Sequence, residues 1–145
     1  MKPRVAALII IISGVVFFVA GVATYAIVST TLGAQNITVS DDASMFAGQH
    51  ITQPWQAYAQ ANAINEHANK IAGGKTYAEL PQNDPNRATV MNASFLQASL
   101  FTSVVAFGAA AMAILIGVLF ILIGLGIRDV ANRIRDLASR SPATA

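Results

Sequence analysis

The feature that most constrains this chain is the interval from Ala88 to Ile127, which contains no Asp, Glu, Lys or Arg. A bilayer core of about 30 Å is crossed by roughly 20 apolar residues in a helix. Residues 100–127 supply such a span. The residues before it are speckled with Thr89, Asn92, Ser94, Gln97 and Ser99, so residues 85–99 are expected to stand above the membrane as a stalk of the same helix. Asp84-Pro85 predicts where that helix starts, with Asp84 as N-cap and Pro85 at the first helical position. A buried helix of a soluble protein is the competing reading, and so long a charge-free run argues against it. Charge is scarce elsewhere too: 11% of the 145 residues are charged, where a globular domain carries about 25%.

A second apolar run, residues 5–32, follows the basic start Met1-Lys-Pro-Arg. A secretory signal peptide also begins this way, but its apolar core is only about 7–15 residues long. Leu32-Gly33-Ala34 puts a bulky residue where cleavage needs a small one, and Thr24-Tyr25-Ala26 is a weak alternative. A retained transmembrane helix is therefore expected. Lys and Arg mark the cytoplasmic side of a span. Lys2 and Arg4 lie before the first run; Arg128, Arg133, Arg135 and Arg140 follow the second; the middle carries Asp41, Asp42, Glu66, Glu79 and Asp84 against Lys70, Lys75 and Arg87. This predicts an all-α membrane protein: a two-span transmembrane helical hairpin with a small extracytoplasmic helical segment and a long second helix. Residues 1–4 and 128–145 are expected in the cytoplasm and residues 33–99 outside.

Within the outer segment, Gln35–Ser40 reads as extended or a weak strand, and Asp41–Gly48 as a polar turn with an apolar knob at Met45 and Phe46. Pro54 opens a helix expected over 54–72, stopped by Gly73-Gly74. Ala57, Ala61, Ile64, Ala68 and Ile71 recur on one face at three- and four-residue spacing, and the stalk is the expected partner of that face. Trp55 and Tyr58 lie beside it. Leu80 to Pro85 reads as the connection to the long helix. A segment of about 55 residues builds little core alone, so it is expected to lean on the stalk, the lipid surface or another protein. After Ile127, Val130, Ile134 and Leu137 continue the apolar row between arginines, as in an amphipathic interface helix. The tail from Ser141 is expected to be disordered.

Few patterns carry chemistry. With no cysteine there is no disulfide or thiolate. Gly74-Lys75-Thr76 resembles the end of a phosphate-binding loop, but that loop needs Gly five positions earlier, where Asn69 stands. His50 and His67, with Asp41, Asp42 and Glu66 nearby, lack the tight spacing of a metal site. Glu66 and His67 are adjacent on a helix, so they diverge by about 100°. Solvated polar residues are the expectation. Neither span carries an acid or base of the kind that marks ion or proton pathways, and a net charge of +2 gives no reason to expect a nucleic-acid partner. No catalytic residue, metal ligand, cofactor or small-molecule substrate is therefore expected.

The spans do offer packing surface. Ala106, Ala109, Ala110, Ala113 and Gly117 form a small-residue strip, while Gly14 and Gly21, like Gly117 and Gly124, are seven residues apart. Small residues let helices approach closely in lipid. The candidate interface residues are Gly14, Gly21, Ala106, Ala109, Ala113, Gly117, Trp55 and Tyr58, with packing of the two spans on each other as the first use of the small ones. Phenylalanines such as Phe17, Phe18, Phe101, Phe107 and Phe120 are left for lipid or a larger complex.

Several runs carry a family resemblance: Ile37-Thr-Val-Ser-Asp-Asp-Ala, Ala57-Tyr-Ala-Gln-Ala, Ile64-Asn-Glu-His-Ala, Gly73-Gly-Lys-Thr-Tyr-Ala-Glu-Leu, and Ala93-Ser-Phe-Leu-Gln-Ala-Ser-Leu-Phe-Thr-Ser-Val-Val-Ala-Phe-Gly. Over about residues 5 to 128 the chain resembles a family of small actinobacterial membrane proteins, many of which bear the automatic label "aromatic ring-opening dioxygenase". Such an enzyme needs a metal-ligand set and a pocket, and these residues suggest neither. The family is similar to the association factors of prokaryotic respiratory supercomplexes. The resemblance implies a non-catalytic accessory subunit of the cytochrome bcc–aa3 oxidase supercomplex, with membrane lipid and other respiratory subunits as partners and no catalytic residue to carry over. A free-standing structural protein of the envelope and, more remotely, a metal-dependent enzyme are the alternatives.

Overall fold

A computed structural model describes residues 3–140, the side chain of Arg140 apart. Its elements are three helices: α1 (Pro3–Ala34), α2 (Pro54–Ile71) and α3 (Arg87–Arg140). α1 and α3, of 32 and 54 residues, are each long and apolar enough to cross a membrane. Large apolar side chains stand in the open along both: Val16 is 61% exposed, Ile27 63%, Val105 70% and Leu115 64%. The core helix of a soluble protein would bury them. The residues expected to be disordered, from Ser141 on, lie outside the described chain.

The chain divides into two compact units. The first joins the residues up to Ala23 to those from Ala109 onward, and the second is Thr24–Gly108. In the first unit α1 and α3 run in opposite directions, so that Ala7, Gly14 and Gly21 meet Gly124, Gly117 and Ala110. The Phe17 and Phe120 rings meet edge to face, 6.1 Å between centroids. Arg4 donates a hydrogen bond to the Asn132 side chain at 2.7 Å. The segment after Ile127 continues the helix, as its apolar row suggests. α3 passes through it unbroken, because nothing from Arg128 to Arg140 interrupts helical hydrogen bonding, and Asp129 and Arg133 pair one turn apart at 2.9 Å. Along this stretch Val130, Ile134 and Leu137 are exposed.

The second unit is built on α2. Its start is closed by Gln56, whose side-chain oxygen accepts hydrogen bonds from the backbone N–H groups of Thr52 and Gln53 at 2.9 and 3.1 Å. Its end falls at Ala72, where Gly73 and Gly74 adopt φ of 60° and 83°. Glycine takes this left-handed backbone without a Cβ clash. The Gly74 N–H donates back to the Asn69 carbonyl at 2.8 Å.

The buried face of α2 differs from the expected one. Ala57, Ala61 and Ala68 are buried as predicted, Ile64 packs at the edge of the core, and Ile71 is 46% exposed. Ala59 and Ala63 are buried too. At about 100° per residue they lie on the other side of the helix, the side of Gln56, Gln60 and His67. These three reach the preceding loop: Gln56 donates to Gln49 and accepts from Thr52, Gln60 accepts from the Ser40 N–H at 2.7 Å, and His67 meets Asp42. A helix covered on two sides has no single apolar stripe.

That loop is folded without a regular strand. Gln35–Ser40 holds one isolated antiparallel bridge, Thr38 with His50, supported by Val39 N–H to Gln49 O and Ile51 N–H to Ile37 O. Val39 and Ile51 enter a core with Leu32, Leu100 and Phe107; Phe46 packs on it, while Met45 is exposed. Burying such a side chain stabilises by about 1.5–3 kcal/mol. A second cluster, Ala72, Leu80 and Val90 with Tyr77, closes the connection to α3. Arg87 locks it, its guanidinium 4.2 Å from the centre of the Tyr77 ring and donating to the Tyr77 and Leu80 carbonyls.

α3 begins two residues later than Asp84-Pro85 suggests. The Asp84 carboxylate accepts from the Asn86 N–H at 2.8 Å, and the Arg87 N–H bonds back only three residues, to the Asp84 carbonyl. Asp84 therefore caps a tight turn. The first four-residue bond of the helix runs from Val90 to Asn86, so Pro85 lies in the turn and not in the helix.

Candidate functional site

The sequence points to surfaces and not to a reactive cluster. The small-residue seam of the first unit is the best defined. A methyl group placed on Gly14 would lie 2.7 Å from the Gly117 carbonyl oxygen, and one on Gly117 would lie 2.6 Å from the Phe18 nitrogen. On Gly21 it would lie 2.7 Å from the Ala110 carbonyl oxygen. These obstacles are backbone atoms, which no rotamer change removes. Gly108 and Gly126 would meet nothing within 4 Å, so glycine as such does not mark the contact. Position does: residues seven apart drift by only about 20° around a helix, which keeps Ala110, Gly117 and Gly124 on one line.

The predicted strip is accordingly split. Gly14, Gly21 and Gly117 lie in the seam, with Ala110 2% exposed. Ala113 and Ala106 are half-buried, in the first and second units respectively. Ala109 is exposed, since one residue turns it about 100° from Ala110. Ala7, 1% exposed, completes the seam. The seven-residue spacing back from Gly14 would have revealed it.

In the second unit Trp55 and Tyr58 stand outward, 51% and 47% exposed. Tyr58 packs edge to face on Phe101 at 5.8 Å. Tyr25, to which the sequence reading gave no role, donates its hydroxyl to the Gln53 side chain at 2.6 Å, with its ring 4.8 Å from that of Phe107. The signal was a tyrosine in a mainly apolar run: its ring is large and apolar, and its hydroxyl needs a partner when buried. The glutamines at 53, 56 and 60 are the other missed group. Their three- and four-residue spacing sets them on one face of α2.

Several of the polar residues weighed for chemistry make hydrogen bonds within the second unit. The His67 ring donates through Nε2 to the Asp42 carboxylate at 2.6 Å, and this bond holds the Asp42 carboxyl below its usual range. His50 Nδ1 lies 3.0 Å from the Ile37 carbonyl oxygen. Among the described residues no three His, Asp or Glu side chains converge as a metal site would require. In Gly74-Lys75-Thr76 the backbone N–H groups that would hold a phosphate bond within the chain, that of Gly74 to the Asn69 carbonyl at 2.8 Å and that of Lys75 to the Ala72 carbonyl at 3.3 Å. The Thr76 N–H and hydroxyl both donate to Glu79 at 2.8 Å, and the N–H bond is the main reason that carboxyl too lies below its usual range. Compared with known protein families, curated proteins and solved structures, the chain finds no match.

Proposed function

We propose that the chain is a non-catalytic accessory subunit of an actinobacterial respiratory supercomplex, the cytochrome bcc–aa3 oxidase, and acts by helix packing and extracytoplasmic contacts. In this reading α1 and α3 form a two-span hairpin in the plasma membrane. Both termini are cytoplasmic and residues 33–99 lie outside. The observation that carries it is surface left over after internal packing. The seam uses one line of small residues on each helix, while Leu8, Val16, Met112, Leu115 and Leu119 remain exposed. In a bilayer such faces meet lipid or the helices of another protein. The family-like runs supply scaffold in the outer unit: Ala57, Ala59 and Ala61 are buried, and Gly73-Gly74 ends α2. Trp55 and Tyr58 form an aromatic anchor for a neighbouring subunit.

The test is purification of the tagged chain in mild detergent. Haem- and copper-bearing oxidase subunits are expected to accompany it. Recovery of the chain alone, from membranes whose oxidase is intact, would defeat the proposal, and stoichiometric iron on the isolated chain would favour an enzyme. Stripping the subunit from the intact assembly should leave quinol-to-oxygen turnover per haem nearly unchanged. Reporter fusions after Arg140 and near Gly74 test the topology, with cytoplasmic and outer readouts expected.

A further inference from the structure

The Thr24–Gly108 unit contains a groove of about 490 Å³, within the range of about 300–1,000 Å³ found for ligand pockets. Its lining combines apolar side chains such as Val28, Leu32 and Ala106 with the uncharged polar ones of Gln35, Gln60 and Ser99. Along α1 the lining runs from Ile27 to Leu32, with Gln35 just past the helix end, and along α3 from Ala106 back to Leu96. It thus starts inside the spans placed at 5–32 and 100–127 and ends outside them. No Asp, Glu, Lys, Arg or His lines it. The Gln60 side-chain oxygen is taken by the Ser40 N–H at 2.7 Å, so what Gln60 offers the groove is its NH₂, a donor. A neighbouring apolar helix has nothing to accept that bond, and an anionic headgroup would find no cation.

We propose that this groove binds one diacyl lipid of the outer leaflet with an uncharged or zwitterionic head, its acyl chain along Val28, Leu32 and Ala106 and its ester carbonyls at Gln60 and Gln35. The ester carbonyl is an acceptor at the depth where the apolar core gives way to water, matching the amide donors. The site rests on the membrane placement proposed above, and the test separates the two.

The full chain is reconstituted in phosphatidylcholine vesicles containing a minor fraction of phosphatidylcholine with a photoreactive diazirine on one acyl chain. Cross-linked residues are mapped by mass spectrometry. Labelling is expected at Ile64 and Leu96 in the groove and at Leu119 on the open face of α3. Ala106→Phe, which fills the groove, should reduce labelling at Ile64 severalfold and leave Leu119 unchanged. In the unaltered chain, replacing part of the unlabelled phosphatidylcholine by phosphatidylglycerol at a fixed fraction of probe should raise labelling at Ile64 relative to Leu119, because the anionic lipid competes less well. No labelling at Leu119 would defeat the membrane placement itself. Labelling at Leu119 without Ile64 and Leu96 would overturn the lipid site alone, as would stronger competition by the anionic lipid.

Discussion

The two units both rely on small residues, yet for different physical reasons. In the first, the glycines at 14, 21 and 117 bring backbone against backbone, and the contact is dispersion between closely fitted surfaces. Lipid tails are as apolar as leucine, so in a bilayer there is no hydrophobic gain in pressing two helices together. Fit is what remains. In the second, alanines on α2 lie beneath larger side chains, Leu32, Ile51, Leu100 and Phe107, and a row of glutamines ties the covering loop down. That unit is expected to face water over much of its surface, where burying apolar area is itself favourable. Small residues in the first are the contact. In the second they make room for it.

The sharpest way to break this comparison is to remove a large residue from the second unit. Phe107 is 1% exposed and carries the Tyr25 ring. Phe107→Ala is expected to destabilise the unit by about 3–5 kcal/mol, read as faster hydrogen exchange throughout α2. Exchange in α2 at the native rate would show that the alanines, and not the large side chains, hold this unit together.

Next in size is the seam. Gly117→Ala should cost about 1–3 kcal/mol, the usual penalty for overfilling a packed site, because the new methyl meets the Phe18 nitrogen and the Gly14 carbonyl. Gly108→Ala, on the same helix with open space around it, should cost nothing measurable or stabilise slightly through better helix propensity. Thermal unfolding in detergent measures both. Equal losses at the two positions would mean that helix propensity or lipid contact, not close approach, explains the glycines. A smaller effect is expected from Tyr25→Phe, which removes the hydrogen bond to Gln53 and costs about 0.5–1.5 kcal/mol. The same loss in a Gln53→Ala background would show that the two side chains do not act on each other.

What was legible in the sequence follows the same division. The two apolar helices, Pro54 at the start of α2 and Gly73-Gly74 at its end depend on local signals: absence of charge, a fixed φ, a left-handed turn. The seam was half legible. Spacing of seven picked out Gly14, Gly21, Gly117 and Gly124, but composition alone drew in Ala109, which points about 100° away. The burial of Ala59 and Ala63 was not legible. A one-sided periodicity rule cannot see a second covering layer supplied by a loop without regular structure. The start of α3 at Arg87 was missed because Asp-Pro opens a turn as readily as a helix, and here Asp84 spends its carboxylate on Asn86. The Gln53–Gln56–Gln60 row acts through the backbone of Thr52 and Ser40 and through side chains such as Tyr25 and Gln49, contacts that follow from tertiary placement.

The smallest expected effect concerns the tie between loop and helix. His67 donates to Asp42 at 2.6 Å, with the two side chains 42% and 59% exposed, so the pair lies close to the class of exposed contacts that contribute little. Its sign is nevertheless defined. The bond to His67 holds the Asp42 carboxyl below the ordinary value, which is about 3.9 for aspartate. Its contribution to stability is therefore fully present above that ordinary value and is lost as the pH falls through the lowered one. Two measurements on the outer unit follow. The carbon-13 titration of the Asp42 carboxyl should have a midpoint below the ordinary aspartate value in the native chain and move up towards it in His67→Ala. Hydrogen exchange over residues 41–48 should quicken modestly in His67→Ala at neutral pH, with exchange in α1 and α3 unaltered. An Asp42 midpoint unmoved by the substitution would show that the carboxylate is held by the backbone of its own turn and not by α2. The glutamines alone would then fasten the loop to the helix.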